Sequence, residues 1–121
     1  MSGKQVAIIE DTEPTRPIKV LLVDDEERFR SNLAKRLTRR EFEVSEAANG
    51  EEAVRRFLEN PCQLVFMDIL MPEKDGLAAT TELLKIDPEV IIVAMTGGGE
   101  YMDQDVLTWA KSLGARHTLK K

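Results

Sequence analysis

Short apolar runs alternate with segments of helical periodicity along most of this chain, and this alternation constrains its fold more than any other feature. The apolar runs are short enough for buried strands, and the periodic segments between them are long enough for helices. The predicted strands are residues 18–23, 42–45, 64–67, 90–95 and 116–119. The resulting βαβαβαβαβ order favours an α/β fold, in which right-handed crossovers build a parallel sheet with helices on both faces.

Four helices are predicted between these strands. Phe29, Leu33 and Leu37 recur every four residues and mark the first helix, to about residue 40. The second follows an Asn49-Gly50 turn and ends at Asn60-Pro61, and the third spans residues 77–86. The fourth ends at Gly114 and carries an apolar stripe that we expect to pack partly into the core. The residues of this stripe are Met102, Val106, Trp109, Ala110 and Leu113.

Size and charge exclude several classes of protein. With 121 residues the chain has the size of one domain, and its net charge of −5 argues against direct binding of nucleic acid. No run of about 18 apolar residues is present, so no membrane span is predicted. Cys62 is the one cysteine, which excludes an intramolecular disulfide and fits a reduced, cytoplasmic setting.

The first 17 residues differ in character from the rest. Residues 11–17 are polar and contain two prolines, which is typical of a linker. Residues 6–9 form a short apolar patch. We therefore expect residues 1–17 to be a flexible leader or linker, and residues 18–121 to form the domain.

Polar side chains follow the predicted strands where each one ends. Asp24-Asp25 follows the first strand, Asp68 ends the third, Thr96 ends the fourth and Lys121 follows the fifth. Each residue by itself suits a helix cap, a turn or a solvated surface. The functional crevice of a parallel sheet lies outside the carboxyl ends of its strands, so their joint placement favours a functional site.

The residue types at this site indicate phosphoryl transfer. Three clustered carboxylates repel one another, and a hard divalent cation such as Mg²⁺ is the usual compensation. An aspartate can also attack phosphorus and form an acyl phosphate. Phosphoryl transfer then needs positive charge and donors around the oxygens, which Mg²⁺, Thr96 and Lys121 would supply.

These stretches resemble the receiver domain of two-component response regulators. The resemblance covers residues 18–121 and rests on VLLVDDE at residues 20–26, MDILMPEKDG at residues 67–76, Thr96, and Lys121 seven residues after Gly114. It implies a flavodoxin-like, doubly wound, five-stranded parallel sheet with strand order 2-1-3-4-5.

The resemblance also implies a role for each site residue. Asp68 matches the phosphoacceptor, which a histidine kinase or a phosphotransfer protein phosphorylates. Asp25, Asp24 and the backbone carbonyl of Leu70 match the Mg²⁺ site. Thr96 matches the switch hydroxyl, and Lys121 the lysine that pairs with a phosphoryl oxygen. The switched surface would be the loop after Thr96 and the fourth helix.

Three departures from the family pattern carry expectations of their own. Thr118 stands at the position of the family's usual switch aromatic, and whether Tyr101 in the loop after Thr96 replaces that aromatic is left open. Leu70 and Gly98 stand where side chains that orient water tune dephosphorylation, so we expect slow self-hydrolysis.

The third departure concerns the segment after the lysine. The family continues there with a proline and a fifth helix, and this sequence contains neither at that point. We expect the sheet face near the first and fifth strands to lack cover. A truncated chain, cover by residues 6–9, and a homodimer are three alternatives. The homodimer would form through this face or through the fourth helix and fifth strand.

Two other functions remain open at this point. A Mg²⁺-dependent phosphatase commonly needs Asp-x-Asp after the first strand, whereas this chain has Asp24-Asp25-Glu26. A receiver-like scaffold that no longer takes phosphate is the other alternative, against which the intact carboxylate set argues. We therefore expect a phosphoacceptor that turns over no separate substrate and is not an enzyme in the usual sense.

Overall fold

The described part of the chain forms a five-stranded parallel sheet between helices. The computed structural model describes residues 17–71, 76–97 and 108–121. The strands are β1 (Lys19–Val23), β2 (Glu43–Ala47), β3 (Leu64–Asp68), β4 (Ile91–Thr96) and β5 (His117–Lys120). The helices are α1 (Glu27–Arg39), α2 (Gly50–Glu59) and α3 (Gly76–Ile86), and residues 108–113 are also helical. All four strand pairs are parallel and the order is β2-β1-β3-β4-β5, which confirms the flavodoxin-like topology.

The second strand begins one residue later and ends two residues later than the predicted range 42–45. Phe42 belongs instead to the turn after α1. The amide of Phe42 donates to the carbonyl of Leu37 at 3.2 Å, and Glu41 adopts a φ of 71°. The strand then continues to Ala47, which pairs with Val23 at the end of β1.

The predicted Asn49-Gly50 turn is the start of α2. The Asn49 side chain accepts from the amide of Glu52 at 2.8 Å, and a Glu52 carboxylate oxygen accepts from the amide of Ala48 at 2.7 Å. These bonds resemble a capping box, except that the carboxylate of Glu52 bonds to the residue before the N-cap Asn49.

Two hydrophobic cores occupy opposite faces of the sheet, because successive strand residues point to opposite sides. Leu21 and Val23 belong to the larger core, which includes Phe57 of α2 and Leu83 of α3. The smaller core contains buried Val20, Leu22 and Ala34, with Leu33, Leu37, Phe42, Val44, Leu64 and Phe66 packed against it. Strand β1 is therefore buried between the two cores, and Asp24 and Asp25 follow it at the carboxyl ends of the strands.

The expectation that Trp109 packs partly into the core is wrong. Ala110 is fully buried in the larger core, whereas Trp109 is 59% and Leu113 45% exposed. Neighbouring positions on a helix point about 100° apart, so the small residue packs inward and the indole points outward. Gly114 adopts a φ of 124° and donates to the carbonyl of Lys111, which confirms its role in ending the helix. Met102 and Val106 of the predicted stripe lie outside the described residues.

Exposure on the sheet concentrates on β5 rather than on β1. Val20 and Leu22 of β1 are 1% exposed because α1 packs over them. All four residues of β5 are exposed, including His117, and Leu119 is 41% exposed. The prediction of an uncovered face therefore fits β5 but is wrong for β1.

Cys62 occupies a structural position at the start of β3. Burial raises the pKa of its thiol to about 11, and its Sγ lies 3.5 Å from the carbonyl of Leu64. The side chain is therefore an unreactive part of the larger core, as the sequence indicates. None of the helices in the described ranges is long and apolar enough to cross a membrane.

Candidate functional site

The sheet brings the predicted site residues together at the carboxyl ends of its strands. They line or lie beneath an open cleft of about 430 Å³. The residues lining the cleft are Asp25, Glu26, Phe29, Asp68, Leu70, Thr96, Gly97 and Lys121. Asp24 lies beneath it and is 1% exposed. Tyr101 and Gly98 lie outside the described residues, and Thr118 is exposed on β5, beside Ala94.

Three carboxylates converge in this cleft. One oxygen each from Asp24, Asp25 and Asp68 lies within 4.8 Å of the other two. Asp24 and Asp68 are buried, whereas Asp25 faces solvent. Carboxylates this close repel one another, so the cluster suits a divalent cation with oxygen ligands.

Lys121 provides a positive charge within the cluster. Its Nζ lies 2.9 Å from Asp24 Oδ2, 3.4 Å from Glu26 Oε1 and 3.6 Å from Asp68 Oδ2. Burial works against its charged form, but the hydrogen bond to Asp24 and the charges of Asp68 and Asp24 outweigh burial and raise the pKa of Lys121. The lysine is thus charged at neutral pH, and its one positive charge leaves the cluster acidic.

The backbone and an aromatic ring fix the position of Lys121. Its amide donates to the carbonyl of Thr96 at 2.9 Å, which extends the pairing of β4 with β5 to the site. Its Nζ lies 5.0 Å from the centroid of the Phe29 ring, within the range of a cation–π contact. Gly97 approaches the same side chain, since a Cβ there would lie 3.1 Å from Lys121 Cε.

Asp68 is held with its two carboxylate oxygens in different surroundings. Oδ1 accepts from the amide of Leu70 at 3.3 Å, and Oδ2 faces the ammonium of Lys121. Burial and the neighbouring charge of Asp24 raise the pKa of Asp68 to about 7, although Lys121 opposes the shift. Without further positive charge, this carboxyl therefore retains its proton well above the usual range.

Glu26 and Phe29 line the cleft, although neither residue was assigned to the site from the sequence. The sequence places Glu26 at the helix start and Phe29 on an apolar stripe. In the structure Glu26 contacts Lys121, and Phe29 packs beside the same ammonium. A signal was available, because both follow the Asp24-Asp25 pair within about one helical turn.

The raised pKa of Asp68 leads to a first prediction, for protein in EDTA. The unfolded carboxyl loses its proton near pH 3.8 and the folded one near pH 7. In this window the folded state binds more protons, so the contribution of Asp68 to stability falls as pH rises. Between about pH 4.5 and pH 7.5, the melting temperature should fall by several degrees relative to that of Asp68→Asn. If the melting temperatures of the two proteins changed equally with pH, the burial of an ionisable Asp68 would be contradicted.

Comparison with known proteins agrees with this geometry. The model of the response regulator receiver domain family matches residues 20–121. The chemotaxis protein CheY of Halobacterium salinarum is 45% identical over 83 residues, which are 68% of this chain and 68% of that protein. The transcriptional regulatory protein SrrA of Staphylococcus aureus is 38% identical over 82 residues, and the match covers 68% of this chain but 34% of SrrA. This chain therefore matches about a third of the length of SrrA.

A solved structure gives the same result for the fold. It is that of a response regulator protein from Burkholderia pseudomallei with a phosphorylated aspartic acid, a calcium ion and citrate. The TM-score is 0.78 at 27% identity, over 86% of this chain and 59% of that one. The family match, the strand order and the acidic cleft agree, and this chain belongs to the receiver domain family of two-component response regulators.

Proposed function

We propose that Asp68 accepts a phosphoryl group from the phosphohistidine of a sensor histidine kinase or phosphotransfer protein, in a Mg²⁺-dependent reaction. The observation that carries this proposal is the position of Asp68, a buried carboxylate between Asp24, Asp25 and the ammonium of Lys121. The Burkholderia pseudomallei relative, which contains a phosphorylated aspartic acid, supports it.

The transfer makes one bond and breaks another. A carboxylate oxygen of Asp68 forms a bond to phosphorus while the bond from phosphorus to the donor's imidazole nitrogen breaks, and that nitrogen keeps the electron pair. Lys121 and Thr96 line the cleft, and their ammonium and hydroxyl groups would hold the transferred oxygens. Asp24 keeps Lys121 at the site and stabilises its charge.

Mg²⁺ fits the donor set of the cleft. Asp25, Asp68 and the backbone carbonyl of Leu70 would hold it, with Asp24 acting through water. A bound Mg²⁺ supplies positive charge that keeps Asp68 ionised and offsets the charge on the phosphoryl oxygens. Oxygen donors within 4.8 Å of one another support this assignment, and the calcium ion in the relative is a cation of the same class.

Signalling would follow from a change of state rather than from turnover. The added charge shifts an equilibrium of the surface around the loop after Thr96 and the fourth helix. The domain promotes its own phosphorylation and dephosphorylation, so we do not propose an enzyme with a separate substrate. Slow hydrolysis stays a prediction, because Gly98 lies outside the described residues.

Association and location belong to the same proposal. Trp109, Leu113 and Leu119 are between 41% and 59% exposed, and they support a homodimer through the fourth helix and β5. The absence of a second cysteine supports a cytoplasmic location.

Intact-mass measurement after incubation with Mg²⁺ and a small acyl phosphate tests the proposed function. We expect the wild-type chain to gain one phosphoryl group that hydroxylamine removes, and Asp68→Asn to gain none. EDTA should abolish the gain in the wild type. A folded wild-type chain that gains no mass would favour the scaffold, and turnover of a phosphomonoester would favour the phosphatase.

A further inference from the structure

Arg30 links the loop that carries Asp24 and Asp25 to strand β2, and it does not itself line the cleft. It lies in the first turn of α1, and its side chain is 14% exposed. Its Nη1 donates to the backbone carbonyl of Asp24 at 2.7 Å, and its Nε donates to Glu46 Oε1 at 2.8 Å. Both bonds are charge-assisted, and Glu46 of β2 fixes the direction of the guanidinium.

The carbonyl that Arg30 holds belongs to the peptide that joins the first two carboxylate residues. A peptide unit is planar, so the carbonyl of Asp24 and the Cα of Asp25 lie in one plane. The other groups of Asp24 are also held: its amide donates to Ala47 at 3.1 Å, and Oδ1 accepts from the amide of Glu26 at 2.9 Å. The bond from Arg30 therefore restrains the tilt of this peptide, and with it the position of the Cα of Asp25.

We propose that Arg30, oriented by Glu46, is a positioning residue for the divalent-cation site. It holds the Asp24–Asp25 peptide at the tilt that brings the carboxylate of Asp25 within reach of an ion shared with Asp68. This inference rests on the proposed function, because it concerns the same acidic cleft. Outer partners that orient metal ligands commonly change metal affinity by about 10- to 100-fold.

Electrostatics alone would give the opposite sign, which makes the inference testable. Arg30 carries a positive charge close to the cluster, so a purely coulombic role would weaken cation binding. Removing Arg30 would then tighten the binding of Mg²⁺. A positioning role instead requires that removal weaken binding.

Calorimetric titration with Mg²⁺ measures this sign. We expect Arg30→Met to raise the dissociation constant about 10-fold or more. Arg30→Lys should recover part of the loss, because an ammonium keeps the charge but lacks the rigid fork with which the guanidinium bonds to the carbonyl and to Glu46 together. Arg36→Met, which removes the same charge from an exposed position of α1, is the matched control and should leave the affinity unchanged.

Thermal unfolding in EDTA separates positioning from folding. Weaker Mg²⁺ binding by Arg30→Lys with an unchanged melting temperature supports the inference even if Arg30→Met is less stable, because this variant keeps the positive charge. Wild-type or tighter affinity in either variant overturns it. A wild-type chain that binds no Mg²⁺ contradicts the proposed function as well, whereas unchanged affinity in the variants contradicts this inference alone.

Discussion

Replacing Gly76 with alanine is expected to lower the melting temperature by about 10 °C or more and to impair phosphorylation of Asp68. Gly76 begins α3, and its amide donates to the carbonyl of Ile69 at 3.0 Å. A Cβ at this position would lie 2.6 Å from the Cα of Ile69 and would collide with the carbonyl of Asp68. These obstacles are backbone atoms, so the clash can be relieved only by moving the segment that carries Asp68.

Gly97→Ala is the matched control for the effect on stability. A Cβ there would meet the end of the Lys121 side chain at 3.1 Å, and a long side chain can shift. We therefore expect a melting temperature within a few degrees of the wild type. Thermal unfolding and intact-mass measurement of both variants test this comparison. Wild-type stability and phosphorylation in Gly76→Ala would contradict the close approach of α3 to Asp68.

Replacing Lys121 with methionine is expected to tighten Mg²⁺ binding about tenfold while slowing phosphorylation at least about a hundredfold. In the structure Lys121 Nζ bonds to Asp24 Oδ2 at 2.9 Å and adds positive charge beside Asp68. Removing this charge increases the attraction of the carboxylates for a cation. It also removes a donor that would stabilise the transferred phosphoryl oxygens, so binding and reaction should change in opposite directions.

Lys120→Met controls for the loss of a charge next to the site. Lys120 is exposed at the end of β5, so its replacement should leave both Mg²⁺ affinity and phosphorylation near wild-type values. Without metal, Lys121→Met should be less stable than Lys120→Met, because it removes the ion-pair partner of the buried Asp24 carboxylate. Equal Mg²⁺ affinities in the two variants would contradict the competition of Lys121 with the cation.

The sequence was sufficient to predict where the site lies because topology determines it. Strand ends of a parallel sheet meet at one edge, so Asp24, Asp68, Thr96 and Lys121 could be brought together from their order along the chain. Asp25 could be assigned to the same edge, because it directly follows Asp24 in the sequence. What this rule does not provide is the direction of each side chain, and the pairing of Lys121 with buried Asp24 required the structure.

Contacts made across the helix and strand surfaces could not be predicted in the same way. Whether Arg30 reaches the carbonyl of Asp24 depends on the position of α1 along β2 and on the rotamer of a long side chain, neither of which a hydrophobic repeat specifies. The interpretation of Trp109 failed for a related reason. A short stripe of apolar residues does not show which of two neighbours, Trp109 or Ala110, faces the core.

A structure of the chain with Mg²⁺ and beryllium trifluoride, an analogue of the phosphoryl group, would show directly whether Asp68 is the phosphoacceptor. We expect an adduct on an oxygen of Asp68 and a Mg²⁺ ion ligated by Asp25 and Asp68. We also expect Lys121 Nζ to leave its position 2.9 Å from Asp24 Oδ2 and to move to the adduct. An unmodified Asp68, with Lys121 still bound to Asp24 and the metal elsewhere, would contradict the assignment of this cleft as the phosphoacceptor site.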